Sequence, residues 1–274
     1  MLSRISPLLV LLFALSVGAA PLCAAPKPVY SLVLNGDREQ VKGEPPILCV
    51  YLNGNPVGVY TNSFSIGIQA NQFLRKGKNE IRLTDTAKRA WSVQFGMTDG
   101  EKEPVLVLEK DVDLAGKGEW SATVDLPNVD WTLPLFEKEV TEAQAGGPEI
   151  PKFMEGLFNG IAAADKTPVV SLIWNNGMSI WMKEAYGQPE EAAAGGKQFL
   201  KQTLENIAKL EETPTAAKMK IIRGKNAVLV YTGVVKEEIS STAYLATFKN
   251  KDGSAAQVPP TILYQTKDGW AIWQ

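Results

Sequence analysis

Histidine is absent from this 274-residue chain. That absence excludes every catalytic pair or triad built on imidazole and every histidine-ligated zinc site. Cysteine is nearly absent, with only Cys23 and Cys49. Two thiols cannot build a thiolate metal cage, and they imply no disulfide framework. Cys49 lies in the strand-like run PPILCVYLNG and is expected to act as a small buried apolar residue. A basic excess is missing too. There are 28 basic against 30 acidic side chains, a net charge of −2, so nucleic acid is a poor partner. Neither common glycine-rich phosphate-loop spacing occurs, nor an Asn-x-Ser/Thr sequon, nor a Ser-x-x-Lys pair. No cofactor and no metal follow from these residues.

The first two dozen residues stand apart from the rest. Arg4 precedes the apolar run PLLVLLFALSVGAA, and small residues then lead to Pro26. The run is shorter than the roughly 18 apolar residues a membrane span needs, and its pattern is that of a secretory leader. Residues 1–24 are therefore expected to be a removed signal peptide, cut after Ala24 or after Ala19, which makes the protein exported (periplasmic or secreted) with no membrane span. Losing Arg4 moves the net charge to about −3. A lipid anchor at Cys23 is disfavoured, because Leu22 is a poor residue directly before a lipidated cysteine.

The remainder divides into two patterns. Residues 27–136 hold strand-length runs about ten residues apart, YSLVLNG, PILCVYLNG, VGVYTN, FSIGIQA, NEIRLT, WSVQFGM, PVLVLE and EWSATVDL. Asn53-Gly54 between apolar runs signals a tight hairpin. The spacing predicts an antiparallel β-sandwich. KDVDLAG places Asp111, Asp113 and Gly116 faintly as in a calcium loop, but Ala115 and Ala122 stand where oxygen ligands belong, so it reads as a strand end and turn. The polar stretch 137–152, with Gly146-Gly147-Pro148 and Pro151, is expected as a linker.

From 153 to 274 helices come first. Phe153, Met154, Leu157, Phe158 and Ile161 share one helical face. Asp165 and Thr167 can cap a second helix that Pro168 opens. The apolar piece MSIWM follows, and then a helix from about Pro189 with Glu190 and Glu191 in its first turn, which Gly195-Gly196 can break or delay. Strand runs close the chain: KMKII, AVLVYTG, STAYLATF, PPTILYQT and WAIWQ. The expected class is α+β, an antiparallel sandwich followed by helices on a curved antiparallel sheet.

Two resemblances sharpen this reading. FLRKGKNEIRLT, with Leu74, Gly77 and Asn79 ahead of an outer strand, resembles segments of fibronectin-like and jelly-roll-like accessory domains and implies a sandwich module. Across 153–274, the helical opening and the closing YQTKDGWAIWQ resemble the cystatin-like cone fold shared by the nuclear transport factor 2-like and polyketide-cyclase-like families. That resemblance implies two helices, a short strand, a long helix and a strongly bent sheet. It also implies a pocket between helices and sheet, used by relatives for isomerase, dehydratase or cyclase chemistry or for binding alone. Trp270 and Ile272 are expected to face the helices, with Trp273 on the opposite side.

No catalytic residue is assigned. Candidate ligand contacts are Trp174, Trp181, Tyr231, Tyr244, Tyr264, Trp270 and Asp165. The aromatic residues suit either a pocket or a core, and Asp165 suits either a pocket base or a helix cap. The preferred function is an exported, non-catalytic binding or scaffold protein for a small apolar ligand or an envelope partner. The alternatives are a small lyase or isomerase using a carboxylate in the cone pocket, and an envelope subunit or homodimer associating through the apolar strands AVLVYTG and STAYLATF.

Overall fold

The computed structural model describes residues 27–36, 46–61, 65–98, 104–212, 214–234 and 241–274. The expected leader at 1–24, Cys23 with it, lies outside them. The protein is α+β, with its strands in four antiparallel sheets.

Eight strands come first: β1 (Val29–Gly36), β2 (Leu48–Leu52), β3 (Asn55–Thr61), β4 (Ser65–Gln69), β5 (Gly77–Asp85), β6 (Ala90–Thr98), β7 (Val105–Asp113) and β8 (Glu119–Leu126). They form one sheet in the order β4-β1-β6-β7 and a second containing β3-β2-β5-β8. Alternation sets the inner faces: Leu32 and Leu34 of β1, Val93 and Phe95 of β6, and Ile81 and Leu83 of β5 are completely buried in one cluster. Asn53 and Gly54 join β2 to β3 with φ of 52° and 76°, the left-handed pair a two-residue hairpin needs. The segment at Leu74–Asn79 is a hydrogen-bonded knot. The buried Asn79 amide donates to the carbonyls of Arg75 and Gly77 and accepts from Arg75 N and Asn53 Nδ2. The strand it leads into, β5, pairs with both β2 and β8, so it is an inner strand and not the outer one that the resemblance implied.

The stretch 137–152 is firmly attached. Val140 N donates to Lys225 O, Arg223 Nε to Val140 O and Asn226 Nδ2 to Lys138 O. It contains a short helix, α1 (Glu142–Gly146), whose Thr141 and Gln144 form a reciprocal capping box. Then follow α2 (Glu149–Ala162), α3 (Thr167–Ile173), α4 (Ser179–Glu184) and α5 (Glu190–Asn206). A π turn, Trp174–Met178, joins α3 to α4. MSIWM is therefore helical, not the short strand that the cone resemblance implied. Gly195-Gly196 does not break α5. A side chain at Gly196 would meet the Trp174 ring at 3.1 Å, so the glycine lets two helices approach.

The last strands are β9 (Ile207–Glu212), β10 (Lys220–Arg223), β11 (Ala227–Tyr231), β12 (Gly233–Val234), β13 (Ser241–Tyr244), β14 (Ala246–Asn250), β15 (Ala255–Val258), β16 (Thr261–Thr266) and β17 (Gly269–Ile272). They do not form one meander. β10-β11-β16-β17 make a central sheet, β15-β14-β9 a small separate one, and β12-β13 extend the second sandwich sheet through β3. STAYLATF divides at the fully buried Leu245, with one half in each of two sheets.

Alternation in the central sheet decides the layering. Val228, Val230, Leu263 and Ile272 pack on the helices with Met154, Leu157, Phe158 and Ile161. Their neighbours Ala227, Leu229, Tyr231, Ile262, Tyr264, Ala271 and Trp273 belong to the sandwich core. Trp270 packs against the helix-side cluster, and Trp273 is completely buried on the other side. The sheet is thus an inner layer, covered by helices on one face and by the sandwich on the other.

Candidate functional site

The sandwich-facing side of the central sheet is filled with side chains. Tyr264 and Trp273 stack edge-on with centroids 5.4 Å apart, and the Tyr264 hydroxyl donates to Asn176 O in the π turn at 2.7 Å. Trp181 donates from Nε1 to Trp273 O at 3.0 Å and packs edge-on against Tyr186, whose hydroxyl donates to Gln72 Oε1 at 2.6 Å. Burial pushes the phenols of Tyr231, Tyr264 and Tyr186 above their ordinary range, so each stays neutral. These contacts join helix, sheet and sandwich.

The seven expected contact residues are spread over the molecule. Tyr231 and Tyr264 lie in the shared core. Trp174 sits in a small cluster with Met182 and Ala193. Trp181 is at the junction just described. Tyr244 is half-buried on β13, its ring covering Gly233 across the strand pair. Asp165 is exposed at the entry to α3. It accepts from Thr167 N at 2.9 Å, and that backbone bond lowers its carboxyl below the usual carboxylate range. It is a local turn cap. Of the seven, Trp270 lines an open depression.

That depression is an apolar groove of about 450 Å³ between α2, α3 and the start of β17. Phe153, Leu157, Leu172 and Trp270 form its walls, and Glu149 and Lys152 flank it. Gly156 lies mid-helix on α2, and nothing stands within 4 Å of the place where its Cβ would be. The missing side chain leaves room for a guest. Sequence reasoning missed this role for Gly156. The signal available was a glycine on the exposed face of an otherwise well-formed amphipathic helix, where it costs roughly 1 kcal/mol against alanine.

Among the described residues the buried charged residue is Asp85. Its carboxylate accepts from Ala87 N, Arg89 N, Arg89 Nε and Trp91 Nε1 at 2.8–3.3 Å. Those donors occupy its lone pairs, so it is structural and not a base awaiting substrate. No three His, Cys, Asp or Glu side chains converge among the described residues, and no helix there is long and apolar enough to cross a membrane. KDVDLAG ends β7, with Asp113 Oδ1 accepting from Ala115 N. No protein-family model, curated protein or solved structure matches the chain.

Proposed function

We propose that this is an exported, non-catalytic binding protein whose ligand surface is the groove beside Trp270. The observation that carries the reading is a concave apolar surface with an aromatic wall, held open by Gly156 at a helix position where alanine would be more stable. The groove suits a flat apolar group, a small molecule or a partner's side chain, which would lie between Trp270 and Phe153. Helices on one face of an antiparallel sheet support the likeness to the cone-shaped domains, and the Arg4-led apolar leader supports export. The lyase or isomerase alternative has no buried free carboxylate beside a tyrosine to support it among the described residues. Association through AVLVYTG and STAYLATF has less to support it, because Ala227–Tyr231 of the first run are all buried within the chain.

The test is a screen of flat apolar fluorophores of naphthalene and indole type, read as emission change on titration. Binding to the native protein should be lost in Gly156→Leu, which fills the groove, and weakened in Trp270→Ala. Equal binding to all three would refute the reading.

A further inference from the structure

A second surface lies on the sandwich, independent of the groove. The exposed large apolar side chains among the described residues are Val105, Leu106 and Val107, 56, 52 and 40% exposed and consecutive on β7. β7 is the outermost strand of its sheet, paired with β6 alone among the described residues. One row of its backbone N–H and C=O groups therefore faces outward, ready to accept another strand.

The rest of the strand says what kind of strand. Val112, Lys110 and Leu108 stand opposite Trp91, Val93 and Phe95, which are buried, so these three share the inner face. Glu109, Asp111 and Asp113 stand opposite Gln94, Ser92 and Ala90 and line the outer face at every second residue, all exposed. Beside them the outer face sinks into a depression of about 420 Å³ lined by Asn35, Ser92, Asp111 and Asp113. A bulge between Phe95 and Gly96 separates this acidic ladder from the apolar end.

We infer that β7 is a docking edge for an extended basic segment of a partner protein. The segment adds antiparallel to β7, sets Lys or Arg at alternate positions over Asp113, Asp111 and Glu109, and follows them with apolar residues against Val107–Val105. Charge selects this occupant over a second copy of the chain. In a two-fold antiparallel pairing that continues the sheet, overlap of residues 109–113 sets Asp111 against Asp111 and Glu109 against Asp113, and overlap of the whole strand still sets Glu109 against Glu109, whereas a basic segment meets all three carboxylates with opposite charge.

The probe is a fluorescein-labelled peptide, Lys-Thr-Lys-Thr-Lys-Thr-Val-Val-Val, followed by anisotropy with the full chain. Binding is expected, and the exposed double variant Glu109→Gln/Asp111→Asn should weaken it roughly tenfold with an unchanged circular dichroism spectrum. N-methylation of one alternate set of peptide amides should abolish binding, while methylation of the other set leaves it. Three results would overturn the assignment: equal binding of the peptide with Glu in place of Lys, displacement by spermine at matched charge, or indifference to both methylation patterns.

Discussion

Asp85 and Cys49 show how single side chains are committed to the fold. Asp85 is fully buried and its ion-pair partner Arg89 nearly so, with the guanidinium 4.9 Å from the Trp91 ring centroid. Removing the carboxylate strands both the cation and the indole N–H. Asp85→Ala should therefore cost about 3–5 kcal/mol in a denaturant titration. Cys49 is buried on the face of β2 that also carries Tyr51, and burial pushes its thiol up to about 11 from 9.0. The unfolded chain loses this proton first, so the contribution is fully present below about pH 9 and is lost as pH rises through about 11. Buried tyrosines such as Tyr30 are raised by burial too and add to the alkaline loss. Comparison of native protein with Cys49→Ala isolates the thiol. The alkaline fall in stability should shrink by about 2–3 kcal/mol in the variant. Both roles had partial signals in the sequence. Arg89 and Trp91 follow Asp85 by four and six residues across a turn, and Cys49 lies in an apolar run.

At the scale of elements, two helical glycines make opposite predictions. Gly156 on α2 faces open space, so Gly156→Ala should raise stability by about 0.5–1 kcal/mol while narrowing the groove. Gly177 in the π turn lies against β17, where an added Cβ would sit 2.5 Å from the carbonyl oxygens of both Ile272 and Trp273. Gly177→Ala should destabilise by about 1–3 kcal/mol, because the strand must shift and the nearby bonds from Tyr264 and Trp181 shift with it. Thermal unfolding of the two variants should move in opposite directions. Composition does not separate these glycines. The distinction lies in what each packs against, which the sequence does not contain.

At the scale of the whole molecule, the central sheet is a shared wall. Trp273 is fully buried in a cluster reaching from Tyr30 through Leu83 to Tyr264, and Gln274 meets Gln72 across 202 residues. The sandwich strand β3 also receives β13 from the far end of the chain. Trp273→Ala should cost about 3–5 kcal/mol and lower one transition common to both halves. Calorimetry of the native protein should show a single peak. Residues 27–136 expressed alone should fail to fold, having lost the cover that Leu229, Tyr231 and Trp273 provide. Two separate transitions would contradict the shared core.

Local signals determined most of the elements, but not α1, the helical form of MSIWM or the strand β9. Alternation placed the eight strands of 27–136 and the closing strands, Asn53-Gly54 placed a hairpin, and helical spacing placed α2. Even the opposed faces of Trp270 and Trp273 follow from the period of two. Tertiary structure decided which element pairs with which. STAYLATF is one apolar run by its letters, yet its halves enter different sheets because β3 and β9 offer open edges on either side of Leu245. Burial decided the candidate contacts in the same way. Tyr231 and Tyr264 face sandwich side chains more than 100 residues away, while Gly156 and Trp270 are left with space between them. Periodicity is a property of neighbouring residues, whereas the identity of what covers a face depends on long-range packing.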